Sequence, residues 1–215
     1  MKKTIKLSFF SYHRIELALF LNPPTMSGKI LFVTTGATVI FPELLKSVLN
    51  VSFISKLKVL GYSKIKIQYG KHHEGLQIFQ DGIKSNRTSI IKEEEEKEDK
   101  LQYEDKDGFL IEGFPFTNDI QQEIFESSLV ISHSGTGSIL DSLRLNKKLI
   151  VVINENLMDN HQLEIANELF NQNCLRKSTP SLDELIENVV KIENEELSPL
   201  PKPNQHTLKE LIEST

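Results

Sequence analysis

From Ser27 onward the apolar positions alternate between two rhythms. "KILFVTT", from Lys29, is a short apolar run between polar flanks, which predicts a buried strand. "GATVIFPELLKSVL" then predicts a Gly-containing loop and a helix with Pro42 in its first turn, where the missing N–H costs nothing. "KIKIQYG" alternates and ends in Gly, as a second strand does. "FLIEGF", "LVISHS" and "KLIVVI" read as further strands. The segments "DIQQEIFESS", "GTGSILDSLRL", "MDNHQLEIANELFNQN" and "SLDELIENVVKI" read as helices. Asp119 is placed to cap the first of these. In the third, Leu163, Ile165, Ala166, Leu169 and Phe170 are expected on one apolar side. Strands alternating with helices imply an α/β fold, a Rossmann-like doubly wound parallel sheet with helices on both faces.

Two regions break the rhythm. Residues 85–107 hold "KEEEEKEDK", where like charges repel and little can be buried. This is expected to be a solvated acidic insertion. Residues 1–26 begin with basic and apolar patches, but Arg14 and Glu16 interrupt the apolar run and "NPPT" is no small-residue cleavage site. They are expected to be an extension of little structure, and Met26 is a candidate start. The domain is then expected over 27–195. A Pro-rich linker and a short helix, "HTLKELIE", fill 196–215.

Composition narrows the function. The net charge of −5 argues against nucleic-acid binding, which wants a basic footprint. The single cysteine, Cys174, excludes an intrachain disulfide and fits a reducing compartment. No run reaches the roughly 18 apolar residues of a membrane span. The sequons at Asn50 and Asn86 are of a kind that arises by chance.

Ligands of doubly wound sheets sit beyond the carboxyl ends of the strands. That selects residues 34–41, 133–138 and 154–161. In the second loop, Gly135 and Gly137 allow close backbone approach, and the electropositive start of the helix suits a phosphate. Ser134, Thr136 and Ser138 add hydroxyls, and His133 adds a ring nitrogen. An ordinary tight turn remains the alternative. Asp141, one turn into the helix, suits vicinal ribose hydroxyls, or else forms a capping box with Ser138. Asp159, His161 and Gln162 suit sugar hydroxyls, or else cap a helix. No P-loop, dinucleotide fingerprint, nucleophile elbow or zinc spacing is present, so no metal is expected.

The joint spacing of His133, Gly135, Ser138 and Asp141, with His161 and Gln162 about twenty residues on, resembles the nucleotide-sugar signature of GT-B glycosyltransferases. Over residues 29–176, "FVTTGATVIFPELL" and "VISHSGTGSILDSLRLNKKLIVVINENLMDNHQLEIANELF" resemble the catalytic subunits of the eukaryotic two-subunit UDP-N-acetylglucosamine transferases. Those are similar in turn to the C-terminal half of the bacterial lipid II-forming enzyme, in glycosyltransferase family 28. The resemblance implies that Gly36, Ala37 and Thr38, with His133, Ser134, Gly135, Thr136, Gly137 and Ser138, face the diphosphate of UDP-GlcNAc. It implies that Asp141 holds the ribose, and that Asp159, His161 and Gln162 hold the sugar. Two departures stand out: Lys148 replaces a usual proline, and Asp141 is one methylene shorter than a usual glutamate.

The implied reaction is inverting transfer of GlcNAc to GlcNAc-diphosphodolichol, with UDP-GlcNAc as substrate and no cofactor. The chain holds one half of such an enzyme. A membrane-anchored, acceptor-binding partner is therefore implied, recruiting this chain to the cytosolic face of the endoplasmic reticulum. Leu208, Leu211 and Ile212 form a stripe for docking on that partner or folding back. His133 and His161 are the candidates for the catalytic base, and neither is assigned. A non-catalytic, nucleotide-sugar-binding subunit is the competing reading.

Overall fold

The computed structural model describes residues 28–36, 40–86, 89–92, 100–153 and 160–200, with the backbone alone at 89–92 and 160–162. Eight strands form one sheet in the order β3-β4-β5-β2-β1-β6-β7-β8. They are β1 (Lys29–Thr34), β2 (Tyr62–Gln68), β3 (Ser89–Lys92), β4 (Leu101–Glu104), β5 (Leu110–Phe114), β6 (Leu129–Ser132), β7 (Lys148–Val152) and β8 (Arg176–Ser178). The run from β5 to β8 is parallel throughout. β4 and β3 add an antiparallel edge. The doubly wound sheet expected from the alternating rhythm is what forms.

Both faces are buried, as a parallel sheet requires. Along β1, Leu31 and Val33 point to one core and Phe32 to the other. The first core receives α1 (Pro42–Val48), α2 (Val51–Val59), α3 (His73–Ser85) and α7 (Leu182–Glu193), through Leu44, Phe53, Phe79 and Leu185 among others. The second receives α4 (Ile120–Glu126), α5 (Thr136–Arg144) and α6 (Asn160–Asn171), through Ile124, Ile139 and Ala166. Asp119 caps α4 as expected, accepting from the Gln122 N–H at 3.0 Å. Pro42 stands at the start of α1.

Two expectations are corrected. Residues 85–107 are not one solvated loop. β3 pairs with β4 and β4 with β5, because Leu101 and Tyr103 pack on the first core and Tyr103 lies 6.0 Å from the Phe79 ring. The charges at 93–99 fall outside the described residues. On α6, Ala166 and Leu169 are buried but Phe170 is 41% exposed, with the Lys177 ammonium 4.5 Å above its ring. Contact with a cation and its alkyl stem lets that ring stay outside the core.

The sequon asparagines serve helix ends. Asn50 caps α2, accepting from the Ser52 N–H at 2.9 Å. Asn86 ends α3 and donates to the carbonyls of Leu49 and Gly82. Lys148 donates to the carbonyls of Ile192 and Glu193 at the end of α7, where orphan carbonyls and the helix dipole both favour a cation. The lysine that replaces a proline is thus a helix cap, a role in stability. Residues 1–26 and the segment with Leu208, Leu211 and Ile212 lie outside the described residues. Among the described residues no helix is long and apolar enough to cross a membrane.

Candidate functional site

The chain winds from β1 outward to β2 and, beyond β5, crosses back to β6 and on to β7 and β8. Strand order therefore reverses between β1 and β6, and the loops leaving those two strands diverge around a crevice. Such a switch point is where open α/β sheets bind ligands. The first loop begins at Thr35 and Gly36, the second at His133. Thr34 pairs with Ser132 across the ladder, and the His133 N–H donates to the Thr34 carbonyl at 3.1 Å.

Polar side chains lock the first loop. The Thr34 hydroxyl donates to Gln68 Oε1 at 2.7 Å and accepts from the Gly36 N–H at 3.3 Å. The Thr35 hydroxyl donates to the Gln68 carbonyl at 2.9 Å. Gln68 is buried at the end of β2. Its role was not read from the sequence, because Gln68 continues the polar face of β2 begun by Lys64 and Lys66 and nothing local sets it apart. Gly36 has φ +87°, and a Cβ there would fall 2.7 Å from His133 Nε2. Both facts require glycine.

The second loop reaches α5 differently from the sequence expectation. The positive φ falls on Ser134, at +69°, while Gly135 has φ −62° and serves as N-cap. A non-glycine residue in that region costs on the order of 1 kcal/mol or more. Ser134 is fully buried, and its hydroxyl donates to the carbonyl of His133. The glycine at 135 answers to space instead: a Cβ there would lie 3.0 Å from His133 Nε2. A Cβ on Gly137 would meet nothing within 4 Å, so this residue leaves the first turn of α5 open. The N-cap, Gly135, brings no side chain to that turn. Its leading N–H groups and the helix dipole make it electropositive and suited to an anion.

The capping-box alternative for Asp141 does not form, because α5 starts at Thr136 and Ser138 is already its third residue. Asp141 instead accepts from Gln121 Nε2 of α4 at 3.3 Å and lies 4.0 Å from the Arg144 guanidinium. Its side chain stays 22% exposed. Gln121 is a partner that no local motif announces, since it stands twenty residues upstream on another helix. His133 is the other titratable group here. Burial holds its pKa below the ordinary histidine value, against a bond to the Thr34 carbonyl that favours the charged form. Directly beneath, Ser132 is fully buried, and among the described residues its Oγ is the one buried side-chain polar atom without a partner.

The structure thus brings Gly36, His133, Ser134, Gly135, Thr136, Gly137, Ser138 and Asp141 to one end of the sheet. Ala37, Thr38 and Asp159 lie outside the described residues. His161 and Gln162 belong to the first turn of α6, following β7, by their backbone. Beside the cradle opens a cleft of about 1150 Å³, between Ile40 and Phe41 after β1, Ile153 after β7, Phe170, and the N-terminal half of α7.

Residues 30–214 match the glycosyltransferase family 28 C-terminal domain. The chain is 46% identical over 170 residues to the UDP-N-acetylglucosamine transferase subunit ALG13 of Kluyveromyces lactis, covering 77% of this chain and 86% of that one. It is 38% identical over 193 residues to the subunit of the same name in Saccharomyces cerevisiae, covering 87% and 96%. Among solved structures, the NMR solution structure of ALG13 aligns with a TM-score of 0.65 at 34% identity, covering 86% of this chain and 96% of that one. The crystal structure of Acinetobacter baumannii MurG aligns at 0.55 with 14% identity, covering 85% and 44%, a likeness of fold alone. With a Rossmann-like sheet matched along this length and at these identities, the chain belongs to the glycosyltransferase family 28 C-terminal domain family, among the UDP-N-acetylglucosamine transferase subunits.

Proposed function

We propose that this chain is the donor-binding and catalytic subunit of an inverting transferase that moves GlcNAc from UDP-GlcNAc to GlcNAc-diphosphodolichol, forming the β1,4-linked chitobiosyl lipid. The observation that carries this reading is the first turn of α5, whose N-cap Gly135 brings no side chain, set against Gly36 across the switch point. Gly36, Ala37 and Thr38 on one side, and residues 133–138 on the other, hold the diphosphate. Asp141 accepts hydrogen bonds from the ribose. Asp159, His161 and Gln162 orient the sugar for attack on C1 from the face opposite UDP.

Chemically, the acceptor hydroxyl attacks C1, the bond from C1 to the phosphate oxygen breaks, and the electron pair stays on UDP. The preorganised N–H groups at the head of α5 stabilise that growing charge, and donors of this kind each contribute about 3–4 kcal/mol to barrier lowering. Orientation of the two reactants contributes further. The donor is a substrate, and the scheme uses no cofactor and no metal. The lipid-binding surface comes from a membrane-anchored partner subunit, which recruits this chain to the cytosolic face of the endoplasmic reticulum. No nucleic acid is involved.

The test is transfer of labelled GlcNAc from UDP-GlcNAc to a GlcNAc-diphospholipid, with the full chain alone and with the membrane subunit. Transfer is expected only with the partner. Robust transfer by the chain alone would overturn the two-subunit scheme. UDP-GlcNAc binding without transfer, even with the partner present, would leave a binding subunit instead. Asp141→Ala is expected to cut transfer by at least tenfold with the fold retained, judged by an unchanged thermal midpoint. Near-normal turnover would remove Asp141 from the site.

A further inference from the structure

His133 is held in one protonation form by what surrounds it. Its Nδ1 lies 3.2 Å from the Thr34 carbonyl. A carbonyl only accepts, so Nδ1 carries the proton and, in a neutral ring, Nε2 keeps a bare lone pair. That nitrogen faces the two glycines flanking the crevice, since a Cβ on Gly36 would lie 2.7 Å from it and one on Gly135 3.0 Å. The unprotonated nitrogen of the ring is therefore at the mouth of the cradle, beside the N-terminus of α5.

Among the described residues, no acidic group lies against the ring. From β1 and β2 come Thr34, Thr35 and Gln68, all neutral. From β6 and its loop come the hydroxyls of Ser132 and Ser134. From α5 come the positive end of the helix and, one turn in, Asp141, which already has Gln121 and Arg144 as neighbours. The side chains of Glu155, Asp159 and His161, before and at the start of α6, lie outside the described residues. Burial lowers the ring's pKa and the Thr34 carbonyl opposes it, and no carboxylate among the described residues contributes. Burial thus favours the neutral ring in the free protein.

A diphosphate in this cradle presents only acceptor oxygens and two negative charges. Against a bare Nε2 that contact is acceptor to acceptor. With one added proton it becomes a charge-assisted hydrogen bond, among the strongest a side chain makes. Resting on the reading that this cradle holds the donor diphosphate, we infer that His133 takes up one proton from solvent as the nucleotide sugar binds, and donates Nε2–H to a phosphate oxygen. The proton stays on Nε2 while the C1–O bond breaks, where it offsets the charge that collects on UDP. It returns to solvent when UDP leaves. His133 is then a donor-side electrostatic group and is removed from the search for the base, which must accept a proton rather than hold one.

The experiment is calorimetric titration of UDP-GlcNAc into the full chain at pH 7.5 in HEPES and in Tris, whose ionisation enthalpies differ. UDP-GlcNAc is the right probe because its diphosphate is a diester with no proton titrating near neutrality, unlike UDP. The dependence of observed enthalpy on buffer ionisation should report uptake of about 0.5–1 proton per donor, with affinity falling up to about tenfold per pH unit above the bound pKa. In His133→Asn the uptake should fall to near zero. A second measurement needs no variant: nitrogen-15 imidazole spectra should pass from the neutral Nδ1–H pattern to the imidazolium pattern on donor saturation. Donor binding with no net uptake, or a ring that stays neutral in the saturated complex, would overturn the inference alone. Failure of UDP-GlcNAc to bind at all would overturn the cradle reading beneath it.

Discussion

At Ser132 the fold keeps a polar atom that it does not satisfy. The hydroxyl is fully buried at the end of β6, immediately below the cradle, with no partner among the described residues. A buried unpaired hydroxyl costs about 1–3 kcal/mol, and deleting it removes that cost with little change of volume. Ser132→Ala is therefore expected to stabilise the free protein by about 1 kcal/mol in urea or thermal unfolding. A loss of stability of that size would mean that the hydroxyl is paired after all. The neighbouring Ser134 shows how far a local motif can be read. The glycines of "SHSGTGS" invite the positive φ, yet it falls on the serine, and Gly135 and Gly36 are needed because the His133 ring leaves no room for a Cβ. That Gly36 and residues 133–138 gather at the carboxyl end of the sheet was legible in the sequence. Which of them bears strain, and that Gln121 rather than Ser138 is the neighbour of Asp141, depended on packing between segments far apart in the chain.

At the scale of elements, α4 is fastened to the sheet by charge as well as by Ile124. Lys66 of β2 is buried and meets Glu123 and Glu126 at 2.7 Å each, and Lys100 reaches Glu123 at 3.0 Å. Burial pulls the Lys66 pKa down, but its bonds to Glu123 and Glu126 outweigh that and hold it above the ordinary lysine value. Removing one partner of a buried pair typically costs about 3–5 kcal/mol, whereas replacing both by apolar groups can be neutral. Glu123→Ala should cost about 3 kcal/mol, near the lower end because Lys66 retains Glu126. Lys66→Met combined with Glu123→Leu should recover most of it in the same urea titration. An additive double variant would mean that the network does not couple α4 to β2. This helix also carries Gln121, so the same fastening supports the position of Asp141. The elements that escaped the sequence reading did so for reasons of this kind. α3 carries Gly75 and Gly82, poor helix formers, but a Cβ at Gly75 would fall 2.3 Å from the Tyr69 carbonyl oxygen and one at Gly82 2.7 Å from Leu49. Close packing placed those glycines and overrode propensity. β3 and β4 were masked by the charge run between them, and β8 is three residues long.

For the whole molecule, the titrating groups with shifted pKa values define a window of stability. His133 is depressed by burial below 6.5, so its contribution is present above the unfolded value and is lost as pH falls from 6.5 through the folded value. Glu193 joins α7 to the start of the sheet by accepting from Lys29 and from the Tyr62 hydroxyl at 2.6 Å. Burial raises its pKa, but those two bonds outweigh it, so the value lies below the ordinary 4.5. Its contribution is present above 4.5 and is lost as pH falls through the folded value. Tyr62 is raised by burial and by Glu193, and Lys66 by its two glutamates, so both favour their protonated forms. Their contributions are present below the unfolded values of 10.0 and 10.5 and fade as pH rises beyond them. Burial also raises the Cys174 thiol above its ordinary 9.0, a contribution that fades above that pH, so the thermal midpoint should hold a plateau from about pH 7 to about pH 9 and fall on both sides. The acid limb should have two steps, one beginning near pH 6.5 from the ring at the carboxyl end of the sheet, and one below pH 4.5 from Glu193 together with Glu126 and Asp105, which, against burial, their lysine partners also hold below the ordinary carboxylate values. Glu193→Gln should lower the plateau and shrink the second step while leaving the first in place. If it erased both, the two ends of the sheet would not titrate independently.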